Sequence, residues 1–399
     1  MGVPGNHADG GPAVMPRTGL ILPGGGARGA YQVGVLRALA EIWAKSAAPG
    51  FPFPIISGSS AGAINAAVMA SHADSVAEGA SRLELFWKRL HCERIYRTDA
   101  WTVMATGLRW MLSFSPLLNT FVRQPPSLLN SDPLREFLDR ELLLHRIQEC
   151  IDCGHLRGIA ITASGYTCAS AISFFQAAEA VQPWIRARRS GRAATISVPH
   201  LMGSAALPLL FPAYRIGNEY FGDGGMRMVA PLSPAIHLGA DRLLVITTRD
   251  ERPDPEPSED VAYPTFGEIG GYLLDTIFMD RLTSDIARLE RINETLSLMT
   301  PEQYRKTPLN IIRALVIRPS VDLREVTRRH ARSIPRPVRM LLRTLGGWGR
   351  DWRMASYLLF EPGFATELIE LGYQDSMARA KEISTFFTAP VETINQRQM

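Results

Sequence analysis

Two glycine-rich turns near the start of the chain each follow a short apolar run, and together they confine the fold to a sheet whose strands alternate with helices. The first turn, Gly24-Gly25-Gly26-Ala27-Arg28-Gly29, follows Leu20-Ile21-Leu22. The second, Gly58-Ser59-Ser60-Ala61-Gly62, follows Ile55-Ile56-Ser57. Beyond the first turn Ala30, Val33, Val35, Leu36 and Leu39 recur at helical spacing through Trp43, and beyond the second Ala61 to Ala70 reads as an Ala-rich helix. Strand, tight turn and helix in succession, twice over, predict a βαβ unit and a parallel sheet covered on both faces. An uninterrupted apolar run such as 18–22 fits a central strand buried on both sides.

The two turns also carry chemistry. Successive glycines leave backbone N–H groups unshielded for an anion, and Arg28 adds positive charge beside them. A serine with glycine two residues to either side can sit on a sharp strand-to-helix turn with its Oγ exposed, where the opening N–H groups of the next helix favour negative charge. Small residues also line ordinary strand–helix turns, so the second motif alone is not decisive. Dinucleotide binding would need an acidic residue after the second strand, which delivers Ser60 instead, and a P-loop would need a Gly-Lys-Ser/Thr ending that is missing. A serine needs a base. None of the eight histidines lies in a glycine-rich motif, whereas Asp223 stands in Gly222-Asp223-Gly224-Gly225 at the end of a Tyr220-Phe221 strand. In isolation that motif also fits an ordinary turn. His237 follows Asp223 in the Ser…Asp…His order of a full triad. Both it and His200 read more simply as packed or surface histidines.

In this order the three motifs resemble those of the patatin-like phospholipase family: a Gly-Gly-Gly-x-Arg/Lys-Gly oxyanion loop, a Gly-x-Ser-x-Gly turn and an Asp-Gly-Gly/Ala acid. The resemblance covers Thr18 to Thr247. Ser204-Ala205-Ala206-Leu207-Pro208 is similar to the small helix that precedes the acid in this family, and the segment beyond Thr248 looks like that of bacterial members. What the resemblance implies is a three-layer α/β/α fold with a central, mostly parallel sheet, helical insertions and a helical C-terminal tail. It further implies a Ser60–Asp223 dyad that works without histidine through an acyl-enzyme, and an oxyanion hole from Gly25, Gly26 and Ala27, with Ala61 as a further donor. Gly24, Arg28, Gly29, Gly58, Gly62, Gly224 and Gly225 support these groups. No metal and no cofactor is implied. The expected function is a lipid acyl hydrolase of the phospholipase A or lysophospholipase type acting on phospholipid or lysophospholipid. The alternative is a catalytically silent patatin-fold regulator that binds membranes.

The rest of the chain organises around this core. Residues 1–17, rich in Gly and Pro, read as a disordered leader without the apolar stretch of a secretory signal. Residues 18–320 form the expected hydrolase domain, with core motifs over 18–247, a helical insertion over about 81–150 and an excursion over about 250–312 that includes an exposed 250–259 loop. In the insertion, Leu108-Arg109-Trp110-Met111-Leu112 is a candidate lining for an apolar groove. Strands are expected at 158–162, 171–175, 243–246 and 314–317, with Ser164-Gly165 in the turn between the first two. A small-residue helix over 203–207 ends at Pro208, and Gly217-Asn218 marks a hairpin. Residues 321–399 form a basic helical C-terminal region in which 356–360 is a docking segment.

Net charge is only +4, but 323–354 holds nine arginines against two acids, Glu325 and Asp351. That bias suits an anionic membrane surface, and equally a solvated helical face. The four cysteines include one CxxC, Cys150 to Cys153, with no second pair to complete a zinc site. No apolar run approaches the roughly 18 residues of a membrane span. The expected location is cytoplasmic with peripheral membrane contact, and no nucleic-acid partner is expected.

Overall fold

A computed structural model of the protein describes residues 17–46, 50–99, 101, 127–250, 263–349 and 351–389. The expected leader (apart from Arg17), the 108–112 groove lining and most of the 250–259 loop lie outside these residues.

The chain opens as strand β1 (Thr18–Leu22), helix α1 (Ala30–Lys45), strand β2 (Ile55–Ser59) and helix α2 (Ala61–Ala70). β1 pairs in parallel with β2 on one side and with β9 (Arg242–Ile246) on the other, and every residue of these three strands is buried. The ten-stranded sheet continues outward from β2 to β3 (Gly158–Gly165), β4 (Ala171–Ala177), β6 (Arg189–Ala193) and β5 (Trp184–Arg186). On the other side β10 (Arg313–Ile317) runs parallel beside β9 and forms the edge. The excursion after β9 therefore returns to the sheet before the C-terminal helices begin. The hairpin strands β7 (Tyr214–Ile216) and β8 (Glu219–Gly222) join antiparallel to the end of β3. The architecture is a mostly parallel sheet between helical layers.

Alternation along the strands divides the core, because successive side chains point to opposite faces. Leu20, Leu22 and Ile56 belong to the larger cluster, with α1, α2 and the C-terminal helices. Ile21, Ile55 and Ala160 belong to the smaller one, with Leu282, Ile286 and Leu289 of the helix Arg281–Ser297. α1 is apolar nearly all round because it is covered on both sides, by the sheet and by the helix Pro362–Ala378. These two helices touch through glycine. A Cβ at Gly34 would stand 1.8 Å from the Ile369 carbonyl oxygen, and one at Gly372 would stand 2.3 Å from that of Tyr31.

Three local expectations are corrected. Ser164 and Gly165 are strand residues, because β8 adds Gly222 and Phe221 opposite them and extends β3 past the expected turn. The helix before the acid is Val198–Ser204, so 205–208 lie beyond its end. Pro199 occupies its first turn, where the missing N–H costs nothing, and Ser197 caps it. The helical run assigned to 81–150 begins earlier, at Val76, in helix α3 (Val76–Lys88), where Ser75 accepts a cap bond from the Glu78 N–H. Among the described residues no helix is long and apolar enough to cross a membrane.

Gly34→Val inserts a branched side chain where two backbones meet, and overpacking of this kind costs about 3 kcal/mol. The thermal midpoint should fall by several degrees. A midpoint equal to that of the wild type would refute the contact between α1 and the 362–378 helix.

Candidate active site

Because β1 and β2 are parallel neighbours with Leu22 opposite Gly58, the turns that follow them emerge side by side at one edge of the sheet. The second turn is strained. Ser60 has φ 54° and ψ −131°, a conformation costly for a residue with a Cβ, and it hands the chain straight into α2. The Ala63 N–H closes the turn on the Ser60 carbonyl at 2.9 Å. In the first turn Gly26 has φ +56°, and a Cβ there would stand 2.4 Å from the Tyr357 carbonyl oxygen, so only glycine fits. Gly26–Gly29 form one turn of 3₁₀ helix that leads into α1, and the N–H groups of Gly25, Gly26 and Ala27 are those that such a start leaves without partners inside the helix.

Asp223 follows β8 and is completely buried. Its Oδ1 accepts the Gly225 N–H at 2.9 Å, while Oδ2 has no hydrogen-bond partner. Burial pushes its carboxyl up to about 7, and the neighbouring Ser60 hydroxyl and the Gly225 N–H draw it down from a higher value still. The hydroxyl is thus near enough to influence the carboxylate without closing a hydrogen bond of ordinary length and angle. Such spacing is common before substrate tightens a site.

Residues 204–206 hold both groups. The Ser60 N–H donates to Ser204 Oγ at 2.9 Å, Ser204 Oγ donates to the Thr162 carbonyl at 2.6 Å, and the Asp223 N–H donates to the Ala206 carbonyl at 2.9 Å. A buried polar chain supports the other side. Trp87 Nε1 donates to Asn65 Oδ1 at 2.8 Å, and Asn65 Nδ2 donates to Gln32 Oε1 at 2.8 Å. Gln32 Nε2 in turn donates to the carbonyls of Pro23 at 2.9 Å and Ile246 at 3.1 Å. This chain fixes the start of the glycine loop against α2 and the end of β9.

Arg28 turns away from the site into the protein. Its Nε donates to Ser356 Oγ at 2.8 Å, its Nη1 to Asp275 Oδ1 at 3.1 Å, and its guanidinium lies 4.3 Å from the centre of the Tyr357 ring. Asp275 also accepts from the Tyr357 hydroxyl at 2.7 Å and from Arg353 Nε at 3.0 Å. Burial alone would raise the Asp275 carboxyl, but Arg28, the Tyr357 hydroxyl and Arg353 outweigh it and hold the group below the usual carboxylate range. The 356–360 segment therefore docks inward, on the glycine loop. Next to Asp275, one turn of π-helix (Thr276–Asp280) sets Phe278 against the site. A Cβ at Gly24 would meet both the Phe278 ring and Ser60 Cβ at 2.8 Å, and one at Gly225 would meet the same ring at 2.9 Å.

Ser60 and Gly26 line a narrow cleft whose other walls are almost wholly apolar: Ile64, Phe86, Leu90, Ile95, Leu134, Leu207 and Phe211. The glycine loop, Ser60 and Asp223 thus converge. His237 is elsewhere, with Nδ1 2.8 Å from the Ser233 carbonyl and its ring stacked 4.6 Å from Trp184. His200 caps its own helix through Ser197 and packs on Phe174. Cys150 is buried and Cys153 exposed, and no cluster of three or more metal-ligating side chains occurs among the described residues. Sequence reasoning missed Gln32, Asn65, Ser204 as a hydrogen-bonding group, and Asp275. Gln32 and Asn65 did leave a signal, as lone amides inside otherwise apolar helical runs.

The family model for patatin-like phospholipase matches residues 20–236, more than half of the chain. Among curated proteins, lysophospholipase nte1 of Aspergillus terreus is 52% identical over 58 residues, and lysophospholipase NTE1 of Chaetomium globosum is 47% identical over 58 residues. Each match covers 14% of this chain, and the chain spans only 3% of the length of those relatives. Among solved structures, VipD from Legionella pneumophila is similar over 93% of this chain and 68% of its own, at 13% identity and a TM-score of 0.37. By the extent of the family match, the chain belongs to the patatin-like phospholipase family.

Proposed function

We propose that the protein is a lipid acyl hydrolase that cleaves phospholipid or lysophospholipid esters with Ser60 as nucleophile and Asp223 as base. The observation that carries this reading is a buried carboxylate oxygen without a partner beside a serine held in strained geometry, the serine itself lining an apolar cleft. Asp223 takes the Ser60 proton as Oγ attacks the ester carbonyl, and the oxyanion forms against the N–H groups of Gly25, Gly26 and Ala27, with Ala61 at the start of α2. Collapse returns the proton to the leaving alcohol and leaves the acyl group on Ser60. Asp223 then activates water to release the fatty acid. The cleft takes the acyl chain, since it offers apolar surface and almost no polar groups.

Contact with a membrane fits the basic C-terminal region. Arg324, Arg329 and Arg353 are tied to Asp322, Glu367 and Asp275, but Arg328, Arg332, Arg336 and Arg343 are exposed. These four are the candidates to meet anionic headgroups in a peripheral membrane visitor.

A fluorophosphonate probe should label the wild type and leave Ser60→Ala unlabelled. Asp223→Asn should label at least about a hundredfold more slowly, as befits loss of a general base. A folded wild type that stays unlabelled would favour the silent regulator.

The pH dependence has a definite sign. The base works ionised and its carboxyl lies at about 7, so kcat/KM for a soluble ester should fall as pH drops through about 7. Stability runs the other way. A carboxyl raised in the native state stabilises it fully below its ordinary range and loses that contribution as pH rises through about 7. Asp223→Asn should therefore gain thermal stability relative to wild type as pH rises. A pH profile already flat at pH 5 would refute the assignment of Asp223 as the base.

Asp275 is a positioning residue in this reading, since it acts through Arg28. Asp275→Asn weakens a buried ion pair and should lower kcat for a soluble ester about tenfold with KM little changed. Circular dichroism should remain native, and Asp275→Glu should restore part of the rate. Equal losses in both variants, tracking stability alone, would reduce Asp275 to a structural role.

A further inference from the structure

The helix Phe266–Asp275 is built inside out for a surface helix. Two of its three buried positions are glycines, beside Leu274: Gly267 meets the backbone of Gly347, and Gly271 meets Arg353 and Met354. Its outward positions are large and apolar. Phe266 is 81% exposed, Tyr272 60% and Leu273 52%, and Tyr263 and Ile269 are exposed as well. Phe266, Ile269 and Leu273 share one face by helical spacing, with Tyr272 beside them. Contiguous apolar surface of this kind is rare on a soluble chain unless something covers it.

The surroundings identify the occupant. The start of this helix is fastened to the end of the helix Arg336–Thr344, since the Gly267 N–H donates to the Leu345 carbonyl at 2.6 Å and Thr265 Oγ1 donates to the Gly346 carbonyl at 2.9 Å. That helix shows solvent Arg336, Arg343 and an exposed Met340. The acids on the 266–275 helix do not counter this charge outwardly: Glu268 is engaged by Thr265 in a capping box, and Asp275 is buried with Arg28 and Arg353. At its other end the helix runs unbroken into the π-turn that places Phe278 on Gly24 and Gly225. An apolar face bordered by arginines matches a bilayer, which offers an apolar layer beneath a plane of anionic headgroups.

We propose that the outer face of 263–275 is a docking surface for an anionic lipid bilayer, with Phe266, Ile269, Tyr272 and Leu273 entering the acyl region and Arg336 and Arg343 resting on the headgroups. The inference does not depend on the catalytic reading, because a silent protein with this face would dock as well.

The test is flotation of the Ser60→Ala chain, which cannot consume its target, with vesicles of equimolar phosphatidylcholine and phosphatidylglycerol. Partition should be strong, weaker on phosphatidylcholine alone, and partly resistant to high salt. Phe266→Ser with Leu273→Ser should lower it by about tenfold or more and abolish the salt-resistant part, because each lost apolar side chain is worth up to about tenfold. Both positions are exposed, so circular dichroism and the thermal midpoint should not change. Arg336→Ser with Arg343→Ser should remove the preference for phosphatidylglycerol. Absence of vesicle binding, or binding by the Phe266/Leu273 variant equal to that of its parent, would overturn the proposal. So would self-association that this variant abolishes while vesicle binding is unchanged, since the face would then be a protein interface. Wild-type protein that docks as described yet hydrolyses no ester would refute the hydrolase reading and leave the docking surface standing.

Discussion

The parallel pairing of β1 with β2, with Leu22 opposite Gly58, is the constraint from which the rest of the site follows. Two parallel strands in this register must release their following turns at the same edge, so a loop rich in N–H groups and a serine on a tight turn become neighbours without side-chain contacts to bring them there. β3 extends the same edge, and β8 folds back on its end so that Asp223 arrives from the far side. The short stretch 204–206 then bridges the two arrivals, binding the Ser60 N–H through a side chain and the Asp223 N–H through a carbonyl. Placement of the site is thus a backbone property, and the side chains that finish it have little left to align.

That economy lets the protein concentrate its unfavourable features in one place. A serine with positive φ and a wholly buried carboxylate with an orphan oxygen each oppose stability. They persist because the surroundings over-determine them. α1 is held on both sides, and α2 is a run of small apolar residues buried along its length. Asp223 shows the coupling of stability to chemistry most directly. The burial that makes its ionised form costly to the fold is also what raises its carboxyl to about 7.

The parts of this design that were legible in the sequence are those in which geometry dictates residue type. Gly26 must be glycine for its φ and its neighbour, and Ser60 and Asp223 sit at fixed places in their turns. Strands covered on both faces show as unbroken apolar runs, which is why β1, β2 and β9 could be read. The supporting groups could not. Asp275 is 247 residues from Arg28, and nothing near it marks it as the partner of an arginine in the glycine loop. Ser204 looks like any small residue in a small-residue stretch, and its role exists only because Thr162 and Ser60 lie on either side of it. The helix before the acid was misplaced for a related reason. Pro208 looked like a stop, while Pro199 was the start, and a proline's meaning depends on which side of it the backbone hydrogen bonds lie.

The distance in sequence between the glycine loop and what holds it has a further consequence. Everything with recognisable chemistry lies within 24–225, yet the loop's shape is set by groups that follow β9: Asp275, Ser356 and the Tyr357 carbonyl. Ser356 and Tyr357 lie just before the 362–378 helix, which packs on α1 through Gly34 and Gly372. A chain ending at β9 would carry all three motifs but none of the groups that hold the Arg28 side chain. The C-terminal region is therefore part of the site's construction rather than an appendage to it. It also carries Arg336 and Arg343, which border the apolar 263–275 face, and the helix that bears this face ends in Asp275, the partner of Arg28.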